Sequence, residues 1–313
     1  MRAYALDEFG HSGSIHVLPI PEPAAGEVLV RLRAASLNAF DCSVVAGRAK
    51  DYMEHRFPLI PALDGAGAVE RLGDGATGFS IGDAVFGLVQ RPFMGQGTLA
   101  EYQTFAASDV AVKPAELGFR EAAALPTAGL TALAAIDALD PREGQVVVVL
   151  GATGGVGSFA VQLATAKGAR IVAVSRGGRA EYARSLGAAD VVDYTVGDAT
   201  QLLQERYPDG IDAVLDFAGQ RELVAGIADL VRTGGRVVST VGAADVESLA
   251  ARGITGINAN RAETDRLAEL AAVVTAGGLK IPQLTVFSLD QAADALAAQA
   301  ERRVPGKIVI DIG

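Results

Sequence analysis

The chain has 313 residues, about two domains' worth at roughly 150 residues each. Half of them are hydrophobic, 20% are charged and 37 are glycine, which excludes a disordered or fibrous protein. A net charge of -10 argues against nucleic acid or an anionic membrane as a partner, and a single cysteine, Cys42, excludes a disulfide framework and a multi-cysteine zinc site. The opening MRAYALDE carries Asp7 and Glu8 and lacks an apolar core, so no signal peptide is expected and the location expected is cytoplasmic. Up to about residue 115 short apolar runs between Gly and Asp turns, such as VLVRLRAASL (28–37) and GAGAVERLGDGATGFSIGDAVFG (65–87), predict β structure. A helical stretch over Phe119–Leu139 follows. Beyond it VVVVL (146–150), RIVAV (170–174), VV (191–192), DAVLDFA (212–218) and RVVSTV (236–241) alternate with alanine-rich helical segments. Uniformly apolar strands between helices predict a parallel sheet covered on both faces. The uncharged stretch Gly144–Ala166 is long enough to span a bilayer, but the four glycines of GATGGVG make it a strand, a turn and a helix instead. The tail predicts a helix near 262–276, a strand at LTVF (284–287), a helix near 290–300 and a strand at KIVIDI (307–312). The fold class expected is α/β, with a β domain followed by a doubly wound parallel sheet.

The most informative segment is VVVVLGATGGVGSFAVQLATAKGA (146–169). Its spacing runs Ala152, Gly154, Gly157, a variant of GxGxxG on a strand–turn–helix. Gly154 lets the backbone approach a pyrophosphate, Gly157 lets helix and strand pack closely, and the helix dipole favours the anion. An NAD site wants an acid at the end of the next strand, to hold the ribose 2′-hydroxyl. Here Ser175, Arg176, Gly177, Gly178 and Arg179 occupy that end, with no acid until Glu181. Ser and Arg suit a 2′-phosphate, so NADPH is the expected cofactor. His11, His16 and His55 have no ligand spacing with Cys42 and read as surface or loop residues.

Seven motifs in order extend the reading over nearly the whole chain: SLNAFD (36–41), PALDGAGAVERLG (61–73), GFSIGDAVFG (78–87), GTLAEY (97–102), AAALPTAGLTA (122–132), GATGGVG (151–157) and GKIVI (306–310). With them the sequence resembles the zinc-free quinone oxidoreductase branch of the medium-chain dehydrogenase/reductase superfamily. The resemblance implies a GroES-like domain (1–118), a Rossmann domain (119–256) and a return segment (257–313) that packs on the first. It implies that Gly154, Gly155 and Val156 underlie the pyrophosphate and that Ser175, Arg179 and Tyr194 surround the 2′-phosphate, with Arg176 able to share that role. Thr127 and Thr131 would lie near the nicotinamide, Ala218 and Val241 would border the riboses, and Arg302 is a further candidate. Without the resemblance Tyr194 reads equally well as a half-buried aromatic at a strand end.

Zinc-dependent relatives hold their catalytic metal at positions that correspond to Asn38, Leu63 and Ala124, none a normal zinc ligand, so no catalytic zinc is expected. Without a Lewis acid, oxidation of a simple alcohol is disfavoured, whereas quinones and α,β-unsaturated carbonyls are already electron-poor. The resemblance therefore implies an NADPH-dependent reductase of quinones or enones. The alternatives are an alkenal or enoyl-thioester reductase, and a non-catalytic NADPH-binding sensor or structural protein. Asn38 can donate to a carbonyl oxygen that gains charge, or can bridge loop backbone as a structural amide. Asp41 reads as a turn cap and Cys42 as a packed thiol. Ser43 stands where many relatives have a tyrosine, Tyr52 is the nearby tyrosine that could replace it, and GINANRAE (256–263) is shorter than in many relatives. A homodimer is expected through an edge strand at RGITGIN (252–258).

Overall fold

Valine-rich segments form the centre of one half of the molecule. In the computed structural model, which describes residues 1–261 and 263–313, the chain divides into two units. One comprises Met1–Ala128, Glu263–Gly277 and Ile281–Gly313, and the other Gly129–Ala262 and Gly278–Lys280. In the second unit six parallel strands lie in the order Asp190–Asp193, Arg170–Ser175, Val146–Leu150, Ile211–Asp216, Val231–Ser239, Thr255–Asn258. Val148, Val172, Val214 and Val237 in its middle are fully buried, as expected for β-branched residues in a sheet covered by helices on both faces. Numbered along the chain this order is 3-2-1-4-5-6, the doubly wound topology whose ligand crevice opens where strands 1 and 4 meet. The α/β fold class expected from the sequence is the one observed.

The first unit is built on a seven-stranded sheet. Leu284–Ser288, Lys307–Asp311, Glu27–Leu37, Asp64–Leu72, Ala84–Leu88 and Val110–Val112 are neighbours in that order, and Tyr102–Ala106 also pairs with Glu27–Leu37. Its register carries the chemistry. Ser36 pairs with Asp64 and Leu37 with Ile308, so the end of one strand meets the starts of two others. A short helix, Ala39–Val45, begins where the long strand stops.

Several expectations need correction. The stretch Phe119–Leu139 is two helices, Phe119–Ala123 and Pro126–Leu139. Pro126 has no N–H to continue a helix and disfavours helical backbone at Leu125, yet suits a first helical turn. The strand expected over 212–218 stops at Asp216, whose Oδ1 accepts the N–H groups of Ala218 (2.9 Å) and Gly219 (3.0 Å) and turns the chain out of the sheet. The strand expected to reach 241 stops at Ser239, whose Oγ accepts from Val241 N and Ala243 N. His16 and His55 are half-buried strand residues, and the His55 ring packs edge-on against Phe9 at 5.1 Å. Ala262, at the start of the helix expected near 262–276 and within GINANRAE, lies outside the described residues; the helix observed there is Leu267–Thr275. No helix among the described residues is long and apolar enough to cross a membrane.

Candidate active site

The first strand of the parallel sheet ends in the glycine turn. Gly151 has φ +76°, a conformation that disfavours a side chain. Gly154 caps the helix Gly155–Ala166 in extended conformation, and a Cβ there would meet only the Gly151 oxygen, at 3.4 Å. A Cβ on Gly157 would lie 2.2 Å from the same oxygen. One glycine therefore leaves room at the helix N-terminus, and the other lets helix and strand touch. Gly155 and Val156 are the first two residues of that helix, whose leading N–H groups have no partners within it. This cradle fits a pyrophosphate.

At the end of the next strand Ser175 is 3% exposed and its Oγ has no partner among the described residues. An unpaired hydroxyl sealed in this way costs free energy until a ligand or water pairs it. Burial and the proximity of Arg176 both lower the Arg179 pKa, and Tyr194 opposes them, so these three side chains stand together. Sequence order hid a carboxylate here: Asp193, at the end of the adjacent strand. Its Oδ1 accepts Thr195 Oγ1 (2.6 Å) and N (2.8 Å), and Gly177 N also donates to the carboxylate. These donors hold its carboxyl below the usual range. On the other side of the crevice the loops that carry Ala218 and Val241 are tied by a buried pair the sequence reading missed. Ser239 Oγ donates to Asp216 Oδ2 at 2.7 Å, and both residues are fully buried.

The first unit holds a second constellation, at the three strand ends that the register brings together. Asp64 is sealed, and four groups donate to it: Asn38 Nδ2 at 2.9 Å, Ser36 Oγ at 3.2 Å, Thr127 Oγ1 at 2.5 Å and Thr127 N at 3.1 Å. Lys307, 2% exposed, donates to Asn38 Oδ1 at 2.7 Å and Leu37 O at 2.9 Å, and lies 3.6 Å from Asp64. Burial pushes its ammonium down, and the carboxylates of Asp64 and Asp41 oppose the fall. Asp41 Oδ2 accepts Asn38 N at 2.6 Å, at the start of the short helix. Asn38 and Thr127, two candidates more than eighty residues apart, thus share one carboxylate. Asp64 lies inside PALDGAG and Lys307 inside GKIVI, where the sequence signal is a lone acid and a lone lysine among apolar and glycine residues.

Thr131 is one helical turn beyond Thr127. Ser43 Oγ turns back toward Ala39 O of its own helix at 3.5 Å. Tyr52, in a turn, is 86% exposed. Arg302 is an exposed turn residue with φ +52°. Cys42 is buried beside Leu296, and burial, reinforced by Asp41, pushes its thiol up to about 11, which makes it a poor nucleophile at neutral pH. Leu63 packs against two apolar clusters, and Ala124 is fully buried. Among the described residues no group of three or more His, Cys, Asp or Glu side chains is placed to hold a metal ion.

Comparison with known proteins adds the chemistry. Residues 24–115 match the alcohol dehydrogenase GroES-like domain and residues 186–310 the family described as zinc-binding dehydrogenase. The chain is 32% identical to a chloroplast envelope quinone oxidoreductase homolog from Arabidopsis thaliana, over 96% of this chain and 95% of that one. It is 28% identical to the chloroplastic NADPH-dependent alkenal/one oxidoreductase of the same plant, over 99% and 79%. The solved quinone oxidoreductase from Coxiella burnetii superposes with a TM-score of 0.90 at 27% identity, over 100% of this chain and 99% of that one. The protein is an oxidoreductase that works with a nicotinamide cofactor on a small-molecule substrate. The chain belongs to the quinone oxidoreductase family of the medium-chain dehydrogenase/reductase superfamily.

Proposed function

We propose that the protein is an NADPH-dependent, zinc-independent reductase of quinones and α,β-unsaturated carbonyls. The observation that carries the cofactor choice is the sealed, unpartnered Ser175 Oγ beside Arg176 and Arg179. A phosphate on the ribose would pair that hydroxyl and gain charge-assisted bonds from the guanidiniums, with Tyr194 at its edge. Asp193 is close, but its charge is already met by Thr195 and Gly177. When bound, the nicotinamide supplies the hydride. The Gly154–Val156 turn holds the pyrophosphate, Ala218 and Val241 border the riboses, and Thr127, whose proton goes to Asp64, acts toward a ligand as an acceptor. At the substrate, an Asn38 N–H donates to the carbonyl oxygen as it gains negative charge. The enone half of the reading is favoured by the name of the alkenal/one relative. Thr255–Asn258, at the edge of its sheet, supports the expected homodimer, which light scattering tests.

The test is a set of dissociation constants beside a substrate panel. One charge-assisted hydrogen bond is worth about 1.5–3 kcal/mol, roughly ten- to a hundredfold in affinity. Arg179→Ala should weaken NADPH by that factor and leave NADH nearly unchanged. NADPH consumption should appear with quinones and enones and be absent with saturated ketones. Wild-type preference for NADH, or equal weakening of both cofactors in the variant, refutes the cofactor assignment.

A further inference from the structure

We propose that Lys307 and Asp64 are positioning residues of the reduction, acting through the side-chain amide of Asn38. The inference rests on the reductase reading in which Asn38 donates to the substrate oxygen. The amide is held at both ends. Its Oδ1 accepts from the Lys307 ammonium at 2.7 Å, and its Nδ2 donates to Asp64 at 2.9 Å. Neither bond survives a flip of the amide, because a flip would set –NH₂ against an ammonium and C=O against a carboxylate. Asp64 takes one Nδ2 N–H at 2.9 Å, and the side chain also interacts with the Asp41 carboxyl, so a substrate oxygen that gains negative charge would draw the second N–H away from Asp41. The charged pair itself is sealed, and the cluster reaches its surface through Asn38 and Thr127, both half-buried.

Fixing the amide does two things. It removes the rotational freedom that a side chain would otherwise lose as the transition state forms, the advantage of a preorganised donor. It also polarises the amide. An ammonium on the carbonyl oxygen draws electron density from nitrogen, so the outward N–H becomes a stronger donor to a developing oxyanion. Lys307 touches neither substrate nor cofactor in this scheme, and its whole effect passes through Asn38.

The decisive comparison uses the full-length enzyme with and without NADPH. Asn38→Ala should lower kcat by roughly ten- to a thousandfold. Lys307→Met should lower kcat by about tenfold or more, with the NADPH dissociation constant and KM moving much less. In the Asn38→Ala background Lys307→Met should cost nothing further in kcat; additive losses overturn the inference. Because Lys307→Met strands a buried carboxylate, Lys307→Met/Asp64→Asn serves as a charge-neutral companion. It should fold at least as well as the single variant and remain slow, whereas recovery of kcat together with stability makes the pair merely structural and overturns the proposal. Asparagine-selective ¹⁵N labelling gives a readout independent of turnover, since the chain has only three asparagines, Asn38, Asn258 and Asn260. The Asn38 amide protons should be displaced and exchange-protected in the wild type and lose both signatures in Lys307→Met; ordinary, rapidly exchanging protons in the wild type overturn the inference. An unchanged kcat in Asn38→Ala instead refutes the reading beneath it, and a slow Asn38→Ala beside a wild-type Lys307→Met refutes the positioning role alone.

Discussion

Asp41 is a carboxyl in an unusual position, 2% exposed and accepting the Asn38 N–H at 2.6 Å. Burial pushes its pKa up to about 7; the Asn38 backbone N–H opposes the rise, the charge of Asp64 adds to it, and the Lys307 ammonium and the Asn38 side chain oppose it again. A carboxyl raised in this way keeps a proton in the folded state that the unfolded chain releases near its ordinary pKa of about 3.9. Stability contributed by that proton is fully present below about pH 4 and is lost as pH rises through about 7. Asp41→Asn keeps an acceptor for Asn38 N and cannot ionise. Its melting temperature should therefore decline less than the wild type's between pH 5 and 8, as read by thermal unfolding in matched buffers. Parallel declines would assign the pH dependence to another group. Half of this site was legible in the sequence: Asn38 and Asp41 are three residues apart before an apolar run, a helix-start pattern. Lys307 was not, because its partner is 269 residues away and only strand register brings the two together.

At the scale of elements, the strand–turn–helix over 146–166 was legible because each of its glycines answers a local steric demand. The Asp216–Ser239 tie was not, since two polar residues at the ends of separate strands carry no local pattern. The break before Pro126 was readable but hidden by the apolar run on both sides. The two glycines of the turn predict opposite outcomes for one substitution. Gly154 is extended at φ -84°, and an added Cβ would meet only the Gly151 oxygen at 3.4 Å. Gly154→Ala should leave the melting temperature within a few degrees and weaken NADPH binding, because the methyl occupies the pyrophosphate's approach. Gly157→Ala places a Cβ 2.2 Å from a backbone oxygen and 2.8 Å from Ala152 Cα, which no side-chain motion can relieve. Overpacking of this kind costs about 1–3 kcal/mol, so it should lower stability as well as cofactor affinity. Differential scanning fluorimetry beside cofactor titration separates the two. Equal loss of stability in both variants would mean that the turn has no open side.

Across the whole molecule, the region that would hold zinc in metal-dependent relatives is occupied by side chains that form an electrostatic system of their own. The three corresponding positions hold an amide, Asn38, and two apolar residues, Leu63 and Ala124, drawn from separate parts of the sequence. No single substitution restores a ligand set, which takes three protein donors even at a catalytic site. The amide is moreover already committed: its oxygen faces the Lys307 ammonium and its nitrogen the Asp64 carboxylate. Two unit charges about 4 Å apart interact by roughly 4 kcal/mol at an effective dielectric of 20, and a dication doubles that figure. Zinc at Asn38 would feel this repulsion from Lys307, while Asp64 is already balanced by the same lysine and by four hydrogen bonds. On the proposed zinc-independent reading, Lys307 stands behind the amide where zinc-dependent relatives would hold a metal, an arrangement that would suit acceptors needing an oxyanion stabilised and would do little to acidify an alcohol. Prolonged dialysis against EDTA or 1,10-phenanthroline should leave kcat for quinones and enones unchanged, and metal analysis of active enzyme should find far less than one zinc per chain. Added zinc should neither raise that rate nor open alcohol oxidation. A tightly held zinc whose removal abolishes turnover, and whose return restores it, would show that the buried lysine is not the cation the reaction uses.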